Sequence, residues 1–116
     1  MRHRRGYRKL NKDTSDRLAM LRNLTLSLFL RGKIETTLHR AKETKRFAET
    51  LITSAKKGDL AARRKILSKI HNTDAVKNIF KAAKERFETR NGGYTRITRL
   101  RRRRGDAAEI VLLELL

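Results

Sequence analysis

The chain contains no cysteine and no proline, and its 12 acidic residues face 31 lysines and arginines. Without cysteine there is neither a disulfide nor a thiolate metal site, which fits a reducing compartment. No apolar run approaches the roughly 20 residues needed to span a membrane. The N-terminus carries the charge of a signal peptide, but no apolar stretch follows it directly. Histidine is sparse too: His3, His39 and His71 lie far apart and lack ligand-like spacing. His39 and His71 read as surface or helix-end residues. Gly92-Gly93 is not followed by the Lys-Ser/Thr pair that completes a phosphate-binding loop, so no nucleotide cofactor is expected. Asp106, Glu109 and Glu114 are the remaining route to metal-dependent nuclease chemistry. Asp106 reads as a turn residue, however, and residues 109 and 114 fall on opposite faces of a strand. No catalytic residues, cofactor or metal are expected, and the chain is read as a non-enzyme.

What the sequence has in excess is positive charge. A formal net charge of +19 on 116 residues exceeds any need of solubility, and the self-repulsion opposes compaction. A polyphosphate partner relieves it, because each neutralised phosphate also releases condensed counterions. At this length the chain forms one domain with a modest core, and no linker is long enough to divide it.

Met1 to Lys12, MRHRRGYRKLNK, has six Lys or Arg and no acid. It is read as an extended basic arm, separate from the domain at 13–116, with Tyr7 and His3 placed to stack on bases or sugars. Asp13 or Thr14 then caps a helix running to about Arg31 and stopped by Gly32. Its stripe of Leu18, Leu21, Leu24 and Leu28 is widened by Met20, Leu26, Phe29 and Leu30, which predicts a helix packed on several sides. Arg17 and Arg22 are expected to face the partner or solvent.

Lys33 to Thr37 is a short strand of period two. Thr36 or Thr37 opens a second helix to about Lys57, buried along Ala41, Phe47, Ala48, Leu51, Ile52 and Ala55. After Gly58, Asp59 caps a third helix with Leu60, Ile66, Leu67 and Ile70 inward and the block 61–65 outward. Thr73 caps a fourth, whose stripe of Val76, Ile79, Phe80, Ala83 and Phe87 predicts continuation through Phe87. Asp74 near its start and Lys84 and Arg86 near its end suit the helix dipole.

The last segment carries the densest signal. Asn91-Gly92-Gly93 is a turn, Tyr94 to Leu100 a strand, Arg101 to Arg104 a loop of charge entering a Gly105-Asp106 turn, and Ala107 to Leu115 a second strand. The apolar run from Ile110 to Leu113 suits cover on both faces and favours a central position; which hairpin strand pairs with Lys33 to Thr37 is left open. The expected architecture is a two-layer α+β domain, ordered helix, strand, three helices and β-hairpin, with a small mixed sheet packed on the helices. Guanidinium groups bind phosphate through paired hydrogen bonds and stack on bases, which suits folded RNA. Consecutive arginines offer the free protein no stability of their own.

MRHRRGYRKLN, LRNLTLSLFLRGKIETTLHRAKE, LITSAKKGDLAARR and RNGGYTRITRLRRRRGDAAEI occur in order and without large gaps. Together they resemble the bacterial large-subunit ribosomal protein seventeen family. The chain departs from that family's pattern in continuing Ala83 to Phe87 without proline, in placing Glu109 where a proline often precedes the last strand, and in its longer arginine run. The resemblance implies a compact α+β protein of the cytoplasmic ribosome, bound to large-subunit ribosomal RNA near the rim of the polypeptide exit tunnel, with other ribosomal proteins as neighbours. The candidate RNA-binding residues are Arg2, His3, Arg4, Arg5, Tyr7, Arg8, Lys9 and Lys12 in the arm. In the hairpin region they are Arg90, Asn91, Gly92, Gly93, Tyr94, Arg96, Arg99, Arg101, Arg102, Arg103 and Arg104. The competing reading is an architectural DNA-binding protein, disfavoured by the lack of convincing helix-turn-helix spacing.

Overall fold

A computed structural model describes residues 13–116; the basic arm and its candidate contacts lie outside the described residues. Asp13 accepts a hydrogen bond from the Asp16 amide at 2.9 Å and so starts α1, Thr14–Arg31. Gly32 ends it in the left-handed region, φ 85°, with its amide donating to the Leu28 carbonyl at 2.7 Å. A residue with a Cβ is strained in that conformation. Strand β1, Lys33–Thr37, leads into α2, Leu38–Ala55. Asp59 caps α3, Leu60–Ile70, through the Ala62 amide at 2.8 Å. Asn72, rather than Thr73, caps α4, Thr73–Glu85, by accepting from the Ala75 amide at 2.9 Å. Strands β2, Thr95–Arg102, and β3, Glu109–Leu115, complete the α+β order.

The sheet is ordered β1-β3-β2, with the last strand central. It is wholly antiparallel rather than mixed. Strands β1 and β2 point the same way, but β3 lies between them, so no parallel pair forms. In the register, Ile34 faces Leu113 and Leu113 faces Ile97. One sheet face therefore lines the core with Ile34, Val111 and Leu113, against Leu28, Leu51, Ile52 and Ile79 from the helices.

Three helices bury less, or other, surface than the leucine spacing predicts. α1 is buried along Leu21, Thr25, Leu28 and Phe29, while Leu18 and Leu30 remain 39% and 46% exposed. Thr25, one turn after Leu21, is fully buried, while Leu24 and Leu26 beside it are only partly buried against the core. α3 buries Ala62, Ile66 and Ile70, leaving Leu60 and Leu67 exposed. This strict four-residue row, opened by alanine, allows close approach of the neighbouring helices. Arg22 does not face solvent freely: its Nε donates to the Lys69 carbonyl at 2.6 Å and ties α1 to the end of α3.

α4 stops at Glu85. The amides of Arg86 and Phe87 both donate to the Ala82 carbonyl, at 2.8 and 3.2 Å, and the chain turns there. Phe87 thus enters the core from a turn, 1% exposed, with its ring 5.1 Å from that of Tyr94. Phe80 is only half-buried, and the Arg63 guanidinium lies over its ring at 4.6 Å.

Candidate nucleic-acid interface

The hairpin is held at its base by α2. The Glu49 carboxylate accepts from the Thr95 amide at 3.3 Å and from the Thr95 hydroxyl at 3.0 Å. One turn pair further along the helix, Lys56 donates its Nζ to the Arg90 carbonyl and, at 3.3 Å, to the Tyr94 hydroxyl. Arg90 in turn donates Nη1 to the Gly93 carbonyl at 3.2 Å. These bonds fix the Asn91-Gly92-Gly93 turn, whose residues are all exposed. Gly93, at φ 62°, needs the freedom of glycine.

Tyr94 is a correction to the candidate set. It is 2% exposed, packed on Phe87 and under Lys56, so its ring is not available to stack on a base. The sequence placed it in an exposed basic stretch; the core uses it as the anchor of the turn.

Strand β2 does not stop at Leu100. Arg101 and Arg102 remain in the ladder, opposite Ile110 and Glu109, after an irregularity between Arg99 and Arg101. Leu100 is the extra residue of a β-bulge. Such an insertion breaks the period of two: Arg99 stands opposite Val111 and Arg101 opposite its neighbour Ile110, so the two arginines project to opposite faces. The true loop is Arg103 to Ala108, closed by the Arg103 amide donating to the Ala108 carbonyl at 2.7 Å and the Ala107 amide to the Arg103 carbonyl at 2.8 Å. Glu109 and Glu114 fall on opposite faces, as expected, and Asp106 is a turn residue.

The arginines are not bare. Arg96 donates from Nε and Nη2 to Glu114 Oε1 at 3.0 and 2.8 Å. Glu109 Oε1 receives Arg99 at 2.8 Å and lies 3.6 Å from Arg102, while Glu109 Oε2 is buried without a hydrogen-bond partner among the described residues. Arg101 reaches across β3 to Glu35 at 3.1 Å. Arg103 grips both oxygens of Asp106, at 3.0 and 2.6 Å. These hydrogen bonds, with one from the Ala108 amide, hold the Asp106 carboxyl down at about 2. Arg104 alone of the run makes no hydrogen bond or ion pair with the described residues. The expectation that consecutive arginines contribute no stability is therefore revised: acids from β1, β3 and the turn meet them. All five paired guanidinium groups stay at least half exposed, so a phosphate has access to their free edges.

Sequence reasoning did not single out Glu35, Glu49 or Lys56. The pairing of Glu109 and Glu114 had a signal: the two acids bracket the apolar run of β3 and so stand opposite the two ends of the arginine strand. Glu35 and Lys56 left none, since each meets its partner through the tertiary fold. His39 is exposed in the first turn of α2, and His71 is the left-handed cap of α3. Among the described residues no group of His, Asp or Glu is placed to hold a metal ion, and no helix is long and apolar enough to cross a membrane.

The family described as ribosomal protein L17 matches residues 20–116. The chain belongs to that family. It is 56% identical over 110 residues to the large ribosomal subunit protein bL17 of Clostridium acetobutylicum, covering 95% of this chain and 96% of that one. It is 54% identical over 110 residues to the proteins of the same name from Clostridium perfringens and Clostridium botulinum, covering 95% of this chain and 97% of each. The ribosomal L17 family is one of structural proteins, and this member is not an enzyme.

Proposed function

We propose that this chain is a structural constituent of the large ribosomal subunit in the cytoplasm, and that it binds folded large-subunit ribosomal RNA through its basic arm and arginine hairpin. The observation that carries this reading is the row of exposed guanidinium groups on a hairpin anchored at its base by Glu49 and Lys56. Arg96, Arg99 and Arg101 to Arg103 are each oriented by a carboxylate and remain at least half exposed, which presents a planar fork to phosphate at little further cost in side-chain entropy. The hairpin contacts are Arg90, Asn91, Gly92, Gly93, Arg96, Arg99 and Arg101 to Arg104, and the arm contributes its own basic residues. The family resemblance further supports a place near the exit-tunnel rim, beside other large-subunit proteins.

Titration against a large-subunit RNA fragment and a duplex DNA of equal length, at one salt concentration, tests the reading. Tighter binding to the RNA is expected, together with co-sedimentation with large subunits through a high-salt wash. Equal affinity for the two nucleic acids, with loss from subunits in the wash, would favour the architectural DNA-binding reading instead. Replacing Arg101 to Arg104 with Gln should weaken RNA binding and flatten its salt dependence by about one unit or less per lost phosphate contact.

A further inference from the structure

The arginines of β2 fall into two sets, and the bulge at Leu100 decides which face Arg101 and Arg102 take. In the register, Arg96 stands opposite Glu114 and Arg101 opposite Ile110, positions of β3 that share one face with Leu112. Arg99 stands opposite Val111 and Arg102 opposite Glu109, on the other face. The ion pairs follow the same division. Arg96 and Arg101 use Glu114 and Glu35, whereas Arg99 and Arg102 share Glu109.

Were β2 regular, residues 99 and 101 would share a face with Ile97 and Thr95, and residue 102 would join Arg96 on the other. Two arginines stand on each face in either case; the inserted residue exchanges Arg101 and Arg102 between the faces. The face carrying Arg99 and Arg102 is the one that closer to the strand ends packs Ile97, Val111 and Leu113 on the helices. Yet these two side chains are 72% and 70% exposed. Although Val111 and Ile110, opposite Arg99 and Arg101, are covered, the arginines on both faces of the far half therefore reach solvent.

Each open face also has its own concavity. One, of about 380 Å³, is lined by Arg40, Arg101, Arg103, Glu35 and Ile110. The other, of about 270 Å³, is lined by His39, Arg102, Ala108 and Glu109. Successive residues of the first turn of α2 thus line different hollows, Arg40 the first and His39 the second.

We infer that the hairpin is a two-sided wedge, seated between two separate segments of large-subunit RNA, each following the arginine pair on one face. This rests on the RNA-binding reading above and adds to it the geometry of the partner. A ribbon with cations on one face lies on a single groove; a ribbon with matched cations on both faces satisfies them only when phosphates approach from both sides.

The test is hydroxyl-radical footprinting of a large-subunit RNA bound by the full chain and by two paired variants, Arg96→Gln with Arg101→Gln, and Arg99→Gln with Arg102→Gln. Each pair should lower the slope of log affinity against log salt by about 1.4–1.8 units, from two lost phosphate contacts. Each should also expose a different protected RNA segment while leaving the other protected. The corresponding Lys pairs keep the charge and should keep both protections, which separates lost contacts from a damaged fold. Because the chain has no cysteine, Thr98→Cys and Arg102→Cys can each carry a tethered iron–EDTA group, and the two probes should cut different segments. Loss of the same protection by both Gln pairs, or one set of cuts from both probes, would overturn the two-sided wedge while leaving RNA binding intact. Absence of any protection by the unaltered protein would overturn the RNA-binding reading itself.

Discussion

The helical body and the hairpin spend their few acids in different ways. In the body, Asp13 and Asp59 cap helices and Asp16 and Asp74 sit in first turns, so these four stabilise backbone, although the buried Glu43 pairs with Arg46 at 3.6 Å. Body cations settle over aromatic rings instead: Arg63 over Phe80, Lys69 over Phe47 and Lys56 over Tyr94. Asp106, Glu109 and Glu114 of the hairpin, with Glu35 of the adjoining β1, all pair with arginines. Apolar burial holds the body together, while the hairpin's outer half is organised by exposed ion pairs, each of small energetic weight. Charge that is dense in the sequence is thus not idle in the fold: it is oriented by counter-charges too weakly bound to keep a stronger anion away.

The contrast is sharpened first by removing packing. Phe87→Ala deletes a buried ring that touches Tyr94 and should cost about 3–5 kcal/mol in urea denaturation. Phe80→Ala, at a half-buried ring, should cost clearly less. Equal losses would mean that the turn after α4 is no more central than the surface of that helix.

Next comes the joint between the two regions. Glu49→Leu leaves the buried Thr95 amide and hydroxyl without their acceptor, at an expected cost of about 1–3 kcal/mol. Amide hydrogen exchange should accelerate at the start of β2 more than in α3. Uniform acceleration would show that the hairpin base and the body open as one unit.

At the outer half the effects shrink. Glu109→Gln should change stability by less than about 1 kcal/mol, because its partners Arg99 and Arg102 are well exposed. The same change should tighten RNA binding by freeing two guanidinium groups. A large destabilisation with no gain in affinity would mean that the ion pairs hold the ribbon together.

The smallest effect is the pH response of Asp106. Its carboxyl is held at about 2 against an ordinary 3.8, so the pairing with Arg103 is complete above the ordinary value. It should be lost only as pH falls through about 2. Carboxyl chemical shifts through an acid titration report this, and a midpoint near the ordinary value would show that the turn is open in solution.

The sequence made elements with local signals legible and left tertiary choices dark. Asp13, Gly32 and Asp59 mark helix ends through backbone chemistry within a few residues, and the structure follows them. The apolar run of β3 announced its central place because cover on both faces shows in composition. The face of α3 did not show: leucine is the stronger apolar signal, but close packing selected Ala62 over Leu60. The end of α4 was hidden because nothing in Arg86 or Phe87 forbids helix, and the burial of Phe87 against Tyr94 decides it. At the candidate site, the arginines were visible as a cluster. Which face Arg101 and Arg102 take depends on a bulge, which has no composition of its own.

The central place of β3 has a consequence for how the protein is made. Strand β1 lies near the start of the described chain and β2 near its end, yet neither pairs with anything except β3. During synthesis the helices emerge with most of their packing partners available, but β1 waits with an open edge until β3 is made. Sheet closure is then a single late event that joins distant parts of the chain, and non-local pairing of this kind is slow. The arginine ribbon acquires its shape at that same moment, so β2 carries its charge without its strand partner until β3 is made.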